Sequence, residues 1–253
     1  MNSLPTDAAD GAWDDFLGGK VRLYQTKNGY RATSDAVILA AAVNAGKNDC
    51  ILDAGCGTGA VSLCLHWRCP DTFITGLDIQ AEMTAAFAAN VSFNGKQNFI
   101  TAVTGDLCAR PCPVPSNAFD WVVTNPPFTV ETPVSPSELK DTAHRQSAYS
   151  LAQWIRSCLK CLKPMGRFVM INRADRLPEI AALLYGELGG VTITPIFTKQ
   201  GRPAKRIVVS GRKGVKSPAV LNDGVVLNDS SGKRTQIAEN IMRGGAALWP
   251  RTL

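Results

Sequence analysis

The sequence predicts an α/β fold built on a mostly parallel sheet with helices on both faces. Three observations predict it. Short β-branched apolar runs alternate with stretches of helical period along most of the 253 residues, the pattern of repeated βαβ units. A glycine-rich loop, Gly55-Cys56-Gly57-Thr58-Gly59, joins one such run to the helix after it. Acidic or amide residues stand where successive strands end, at Asp53, Asp78, Asp106 and Asn125. In open α/β sheets, ligands bind off the carboxyl ends of the strands.

The elements follow in order. Ser34 and Asp35 are placed to cap a helix through Ala36-Val37-Ile38-Leu39-Ala40, because short polar side chains satisfy the free N–H groups of a first turn. Cys50 to Asp53 has the length and apolar content of a buried strand, and a helix from about Gly59 to Trp67 follows. Phe73 to Asp78 is a second strand, with a helix from Ala81 to Asn94 after it; Phe99 to Thr104 is a third strand and Phe119 to Thr124 a fourth. The polar, proline-rich stretch from Pro126 to Ser147 is long for a connection in such a fold, and loops of that length tend to be functional. The next helix ends near Lys163 and carries Leu151, Trp154, Ile155, Cys158, Leu159 and Leu162 on one apolar face. Pro164-Met165-Gly166 predicts a turn into a fifth strand, Arg167 to Ile171. Asp175 to Leu188 is helical, and Val191 to Phe197 with Arg206 to Ser210 form a closing antiparallel pair. A short strand near Val225 to Leu227 and a helix from Thr235 to Met242 complete the series. Residues 1–14 are expected to be disordered, and 15–253 to form a single domain with extensions of its core at both ends.

Composition removes several classes of function. No apolar stretch approaches the ~20 residues that a membrane helix needs. The acidic, base-free start resembles neither a signal nor a transit peptide, so a cytoplasmic setting is expected. The eight cysteines then read as free thiols in a reducing compartment. Cys158 and Cys161 have zinc-like spacing, but no matching second pair or neighbouring His completes a site, and no metal is expected. The net charge of +6 is unevenly placed: Lys199 to Lys216 holds seven basic residues and no acidic one. Such a stretch serves equally as a solvated face or as a footprint for phosphates. No obligate protein partner is evident.

Two cofactors compete for the glycine loop. Gly55, Gly57 and Ala60 satisfy the dinucleotide fingerprint, in which glycines let the backbone approach a pyrophosphate. Asp53, at the end of the strand before the glycines, favours S-adenosylmethionine instead, since that ligand bears an ammonium and a sulfonium. Asp78 suits ribose hydroxyls in either case. Asp106 can take an adenine amino group or cap a local turn. Asn125-Pro126-Pro127-Phe128 brings an amide, a proline-locked carbonyl and an aromatic plane to one strand end, which is equipment for holding a planar amine.

Asp53-Ala-Gly-Cys-Gly-Thr-Gly59, Asp78, Asp106 and Asn125-Pro-Pro-Phe128, in this order, resemble the class I S-adenosylmethionine-dependent methyltransferases that modify amino groups. Within them the chain is most similar to the tRNA adenine-N6 methyltransferases of the valine-tRNA type. Gln25 to Val37 is like the segment before the cofactor loop, and Pro203 to Val209, Gly224 to Asp229 and Thr235 to Arg243 are like the end of that family. The resemblance spans about Asp15 to Leu248. It implies a Rossmann-like, seven-stranded sheet with one antiparallel edge strand, and methyl transfer to the N6 amine of an adenine in RNA, tRNA above all. Cofactor contacts are then expected from Asp53, Gly55, Cys56, Gly57, Asp78, Ile79, Asp106, Leu107 and Asn125, with Tyr30 and Thr33 as a cover. Asn125 and Pro126 would accept from the amine and Phe128 would stack on the base; many relatives carry Tyr at that place, so the plane is kept and a hydroxyl lost. Arg202, Lys205 and Arg206 are candidates for the RNA backbone, and His144 and Arg145 could touch phosphate. The same cofactor could also serve a protein glutamine amide, a guanine N2 in rRNA or a DNA adenine.

Overall fold

The computed structural model of the chain describes residues 11–26, 31–126 and 149–249. Strands β1 (Gly11–Phe16) and β2 (Val21–Thr26) form a separate antiparallel hairpin. Then come α1 (Ser34–Ala41), β3 (Cys50–Ala54), α2 (Ala60–Arg68), β4 (Phe73–Asp78), α3 (Ala81–Phe93), β5 (Ile100–Thr104) and β6 (Phe119–Thr124). Beyond them lie α4 (Leu151–Cys161), β7 (Leu162–Arg173), α5 (Leu177–Leu184), β8 (Leu188–Phe197), β9 (Arg206–Lys213), β10 (Val220–Leu221), β11 (Val225–Val226) and α6 (Gln236–Met242).

The main sheet has the order β10-β8-β9-β7-β6-β3-β4-β5, with β11 also on β8. Every neighbouring pair from β7 to β5 is parallel, and β9 runs antiparallel to both β7 and β8. The expected seven strands are therefore present, but the sheet holds nine, because the two-residue pieces β10 and β11 add to the outer side of β8. The antiparallel strand is not at the edge. The crossover through α5 sets β8 one place away from β7, and the hairpin return from β8 lays β9 in the gap.

Strand residues alternate between two cores. Ile51, Val123, Val169, Ile171 and Val208 face α1, α2, α3 and the hairpin. Leu52, Val122, Phe168, Met170, Ile207 and Val209 face α4 and α5. That is the period-two division a sheet buried on both faces requires, and it explains why these strands read as continuous apolar runs.

Several local expectations need correction. Gly11–Asp14, assigned to a disordered start, are strand residues paired with β2. The cap of α1 is Thr33, whose hydroxyl accepts from the Asp35 N–H at 3.4 Å; Asp35 instead lies in the first turn and is buried. Pro164-Met165-Gly166 do not separate helix from strand. They lie within β7 as an outward loop, with Leu162 opposite Phe119 and Arg167 opposite Trp121, and Met165 takes φ +65°. The helix expected to reach Leu188 stops at Leu184, and Gly186 at φ +81° turns the chain into β8. No disulfide joins the eight cysteines.

Candidate active site

The order of the sheet reverses at β3, whose neighbours β4 and β6 lead away in opposite directions. A crevice opens at such a point above the carboxyl ends. The glycine loop leaves β3 there. Gly55 and Cys56 donate to the Leu77 carbonyl at 2.8 and 3.1 Å, and Gly59 donates to Cys56 O at 2.9 Å. Gly57, at φ +52°, is open on its side-chain face: a Cβ there would meet nothing within 4 Å. Its N–H donates to Asp78 Oδ2 at 2.9 Å, so the amide that a dinucleotide fold would aim at pyrophosphate is already held by a carboxylate.

Asp53 is 1% exposed. Its Oδ2 accepts from the Ser62 hydroxyl at 2.6 Å and the Ser62 N–H at 3.2 Å. Its Oδ1 is buried and finds no hydrogen-bond partner among the described residues. Burial pushes the carboxyl from 3.8 up to about 6, against the lowering effect of the two Ser62 bonds. A buried acceptor of this kind calls for a donor or cation from a ligand.

Asp78, half-buried at the end of β4, also accepts from Gln80 N–H at 3.0 Å through Oδ1. Each of its oxygens keeps a second acceptor site for a hydroxyl. Ile79 beyond it is 62% exposed. Asp106 follows β5 and performs the local capping that its position allowed: Oδ1 accepts from Cys108 N–H at 2.8 Å. Its Oδ2 accepts from the Tyr149 hydroxyl at 2.5 Å, and that bond raises the Tyr149 phenol above its ordinary range. Leu107 and Cys56 are buried, and burial pushes the Cys56 thiol well up.

Asn125 is half-buried and Pro126 buried, directly after β6. The register sets Thr124 opposite Ala54, so the Asn-Pro segment and the glycine loop leave adjacent strands at the same level. Phe128 and Tyr30, like His144 and Arg145, lie outside the described residues. Thr33 caps α1 and lines a cavity of about 860 Å³ with Phe16, Arg31 and Arg243. Arg202 and Lys205 are exposed on the connection from β8 to β9. Arg206 differs: its Nε pairs with Asp35 Oδ2 at 2.9 Å, which ties β9 to the start of α1. Ser62, Tyr149 and Trp154 bond to Asp53, Asp106 and Thr124; none was foreseen, since local pattern does not name a partner in another element. Among the described residues no cluster of His, Cys, Asp or Glu is arranged to hold a metal, and no helix is long and apolar enough to cross a membrane.

A parallel sheet with this switch point, a buried carboxylate with one oxygen unpartnered among the described residues, and a glycine loop open at Gly57 fit a class I S-adenosylmethionine-dependent methyltransferase. The donor set fits that cofactor: Asp53 offers a buried anion, Gly57 an open side-chain face and Asp78 acceptor oxygens suited to hydroxyls. The chain belongs to the methyltransferase small domain family, whose model matches residues 32–193. It is 31% identical over 193 residues to a tRNA1(Val) (adenine(37)-N6)-methyltransferase of Pedobacter heparinus, covering 73% of this chain and 78% of that one. A protein of the same name from Phocaeicola vulgatus is 28% identical, over 79% and 84%. Among solved structures, one described as a predicted O-methyltransferase from Agrobacterium tumefaciens superposes with a TM-score of 0.71 at 21% identity, covering 87% of this chain and all of that one. At that identity the likeness concerns the fold.

Proposed function

We propose that the chain methylates the exocyclic N6 amine of an adenine in tRNA. One observation carries the proposal: Asn125 and Pro126 leave β6 beside the cofactor loop, one residue past the Thr124–Ala54 pair. The names of the relatives favour tRNA adenine as the acceptor.

Asp53, Gly55, Cys56, Gly57, Asp78, Ile79, Asp106 and Leu107 would hold the cofactor, with Tyr30 and Thr33 as a cover. When bound, S-adenosylmethionine supplies an electrophilic methyl group on a sulfonium. The chain's part is to prepare the amine. Adenine N6 is a poor nucleophile because its lone pair is delocalised into the ring. Asn125 Oδ1 and the Pro126 carbonyl each accept one of its N–H bonds, which draws the nitrogen toward tetrahedral geometry and frees the lone pair. The same two acceptors stabilise positive charge as it develops on nitrogen, about 3 kcal/mol per well-placed group. No general base is needed, since the methylated ammonium loses its proton readily. Phe128 stacks on the base, a contact of roughly 1–3 kcal/mol, which offsets part of the cost of extracting it. Exposed Arg202 and Lys205 meet the phosphate backbone; Arg206, joined to Asp35, positions their loop.

Incubation with methyl-labelled cofactor and separate tRNA, protein and duplex DNA fractions, then nucleoside analysis, tests the proposal. Label should appear as N6-methyladenosine in tRNA. Label confined to protein or DNA would overturn it.

Asp53 gives a second expected result. Its carboxyl ordinarily titrates near 3.8 and here near 6. Between those values the folded chain holds a proton that the unfolded chain has lost, so stability falls as pH rises through the window. Above about pH 6 the full cost, about 3 kcal/mol, is present. Asp53→Asn should therefore raise the Tm of the ligand-free protein at pH 7.5 by a few degrees. It should weaken S-adenosylhomocysteine binding about tenfold or more, and wild-type affinity should fall below pH 6. Calorimetry showing unchanged affinity in the variant would remove Asp53 from the site.

A further inference from the structure

We propose that Trp154 is a positioning residue that locks the acceptor segment to the cofactor loop. The inference rests on Asn125 being the group that holds the amine.

The indole Nε1–H donates to Thr124 Oγ1 at 2.9 Å, and the Thr124 hydroxyl donates to the Ala54 carbonyl at 2.8 Å. The direction of this relay is fixed by chemistry, because an indole N–H only donates and a carbonyl only accepts. Thr124 directly precedes Asn125, and Ala54 directly precedes Gly55. Both are fully buried, so no water substitutes for the indole. The ring also lies against the glycine loop: Cζ2 and Cη2 stand 3.2 and 3.4 Å from where a Gly55 Cβ would be. One side chain therefore touches both loops of the site and bonds to the residue that leads into the acceptor.

The start of α4 is itself held firmly. Ser150 caps it in a reciprocal box with Gln153, the residue next to Trp154. Tyr149, one place earlier, is bonded to Asp106 after β5. The ends of β3, β5 and β6 thus meet at the first turn of this helix. Helical period assigns Trp154 to a core face, and the ring does pack there, but a core role leaves the N–H without purpose.

A displacement of the acceptor by a fraction of an ångström lowers turnover without loosening ligands, since in-line transfer depends on alignment. Trp154→Phe keeps the apolar bulk and deletes the N–H. We expect kcat to fall about tenfold, with KM for tRNA and calorimetric S-adenosylhomocysteine affinity each within about threefold of wild type. Thr124→Val, which removes the middle of the relay, should give the same loss. The double variant should be no worse than either single one, as expected for residues acting through one connection. Trp154→Phe retaining wild-type kcat would overturn the inference. So would parallel losses of kcat, cofactor affinity and Tm, or additive losses in the double variant, because these mark a merely structural ring. Failure of the underlying reading is distinguishable: it would show as full turnover in Asn125→Ala, whatever Trp154→Phe does.

Discussion

Asn125→Ala should lower turnover by roughly 10²–10³, the loss that follows removal of one preorganised polar group, while S-adenosylhomocysteine affinity stays within a fewfold of wild type. The separation of the two effects follows from the architecture. Asn125 leaves β6, whereas the buried Asp53, the open Gly57 and Asp78 belong to β3, β4 and the loop between β3 and α2. The carboxamide meets the amine most strongly when nitrogen carries developing charge, so its loss falls on kcat more than on ground-state binding. The variant is also safe structurally, since β6 is anchored upstream by Trp121 and Thr124. Single-turnover methylation beside calorimetry checks both halves. Turnover equal to wild type would take Asn125 out of the chemistry.

Gly59→Ala should destabilise the protein by about 4 kcal/mol, a Tm loss on the order of 10 °C for a chain of this size. Gly59 precedes α2 with φ +92°, a conformation that costs a non-glycine residue about 1–3 kcal/mol. A Cβ there would also stand 1.9 Å from Phe87 Cδ2. Phe87 cannot retreat. It is fully buried, and its opposite edge meets Gly76, where a Cβ would lie 2.2 Å from Cε1. The ring fills the space between two glycines, one on the loop and one on β4. Overpacking of this kind adds about 1–3 kcal/mol. Because α2 would have to shift, Ser62 would move from Asp53 and cofactor binding should weaken as well. Adding Phe87→Leu should restore part of the Tm by opening the space. A Gly59→Ala protein that melts within 2 °C of wild type would show that the loop yields where this packing says it cannot.

Asn125 and Gly59 stand in motifs legible in the chain, whereas the packing of Phe87 between Gly59 and Gly76 was not. Strands β3 to β6 were legible because each is a short β-branched run closed by a turn. A residue ending such a strand is carried to the ligand side of the sheet by topology alone. Asp53, Asp78, Asp106 and Asn125 end or follow strands in that way, which makes them candidates from sequence alone. Partners were not legible. Nothing local connects Ser62 to Asp53, Tyr149 to Asp106, or Arg206 to Asp35 across 171 positions. The hairpin β1–β2 was missed because its loop runs over four residues, 17–20, with Leu17, Gly18 and Gly19 all at positive φ, in place of a two-residue turn. Asn90 on α3 bonds both to Tyr24 of that hairpin and to Thr58 of the glycine loop, so the overlooked element braces the site. The place of β9 was equally hidden, since local pattern gives a hairpin with β8 but not the strand on its other side.

The most direct test of the account is a structure with S-adenosylhomocysteine and adenosine bound together. The adenine N6 should lie within about 3.2 Å of both Asn125 Oδ1 and the Pro126 carbonyl. An Asn125 carboxamide turned away, with N6 more than about 4 Å from both oxygens, would contradict it.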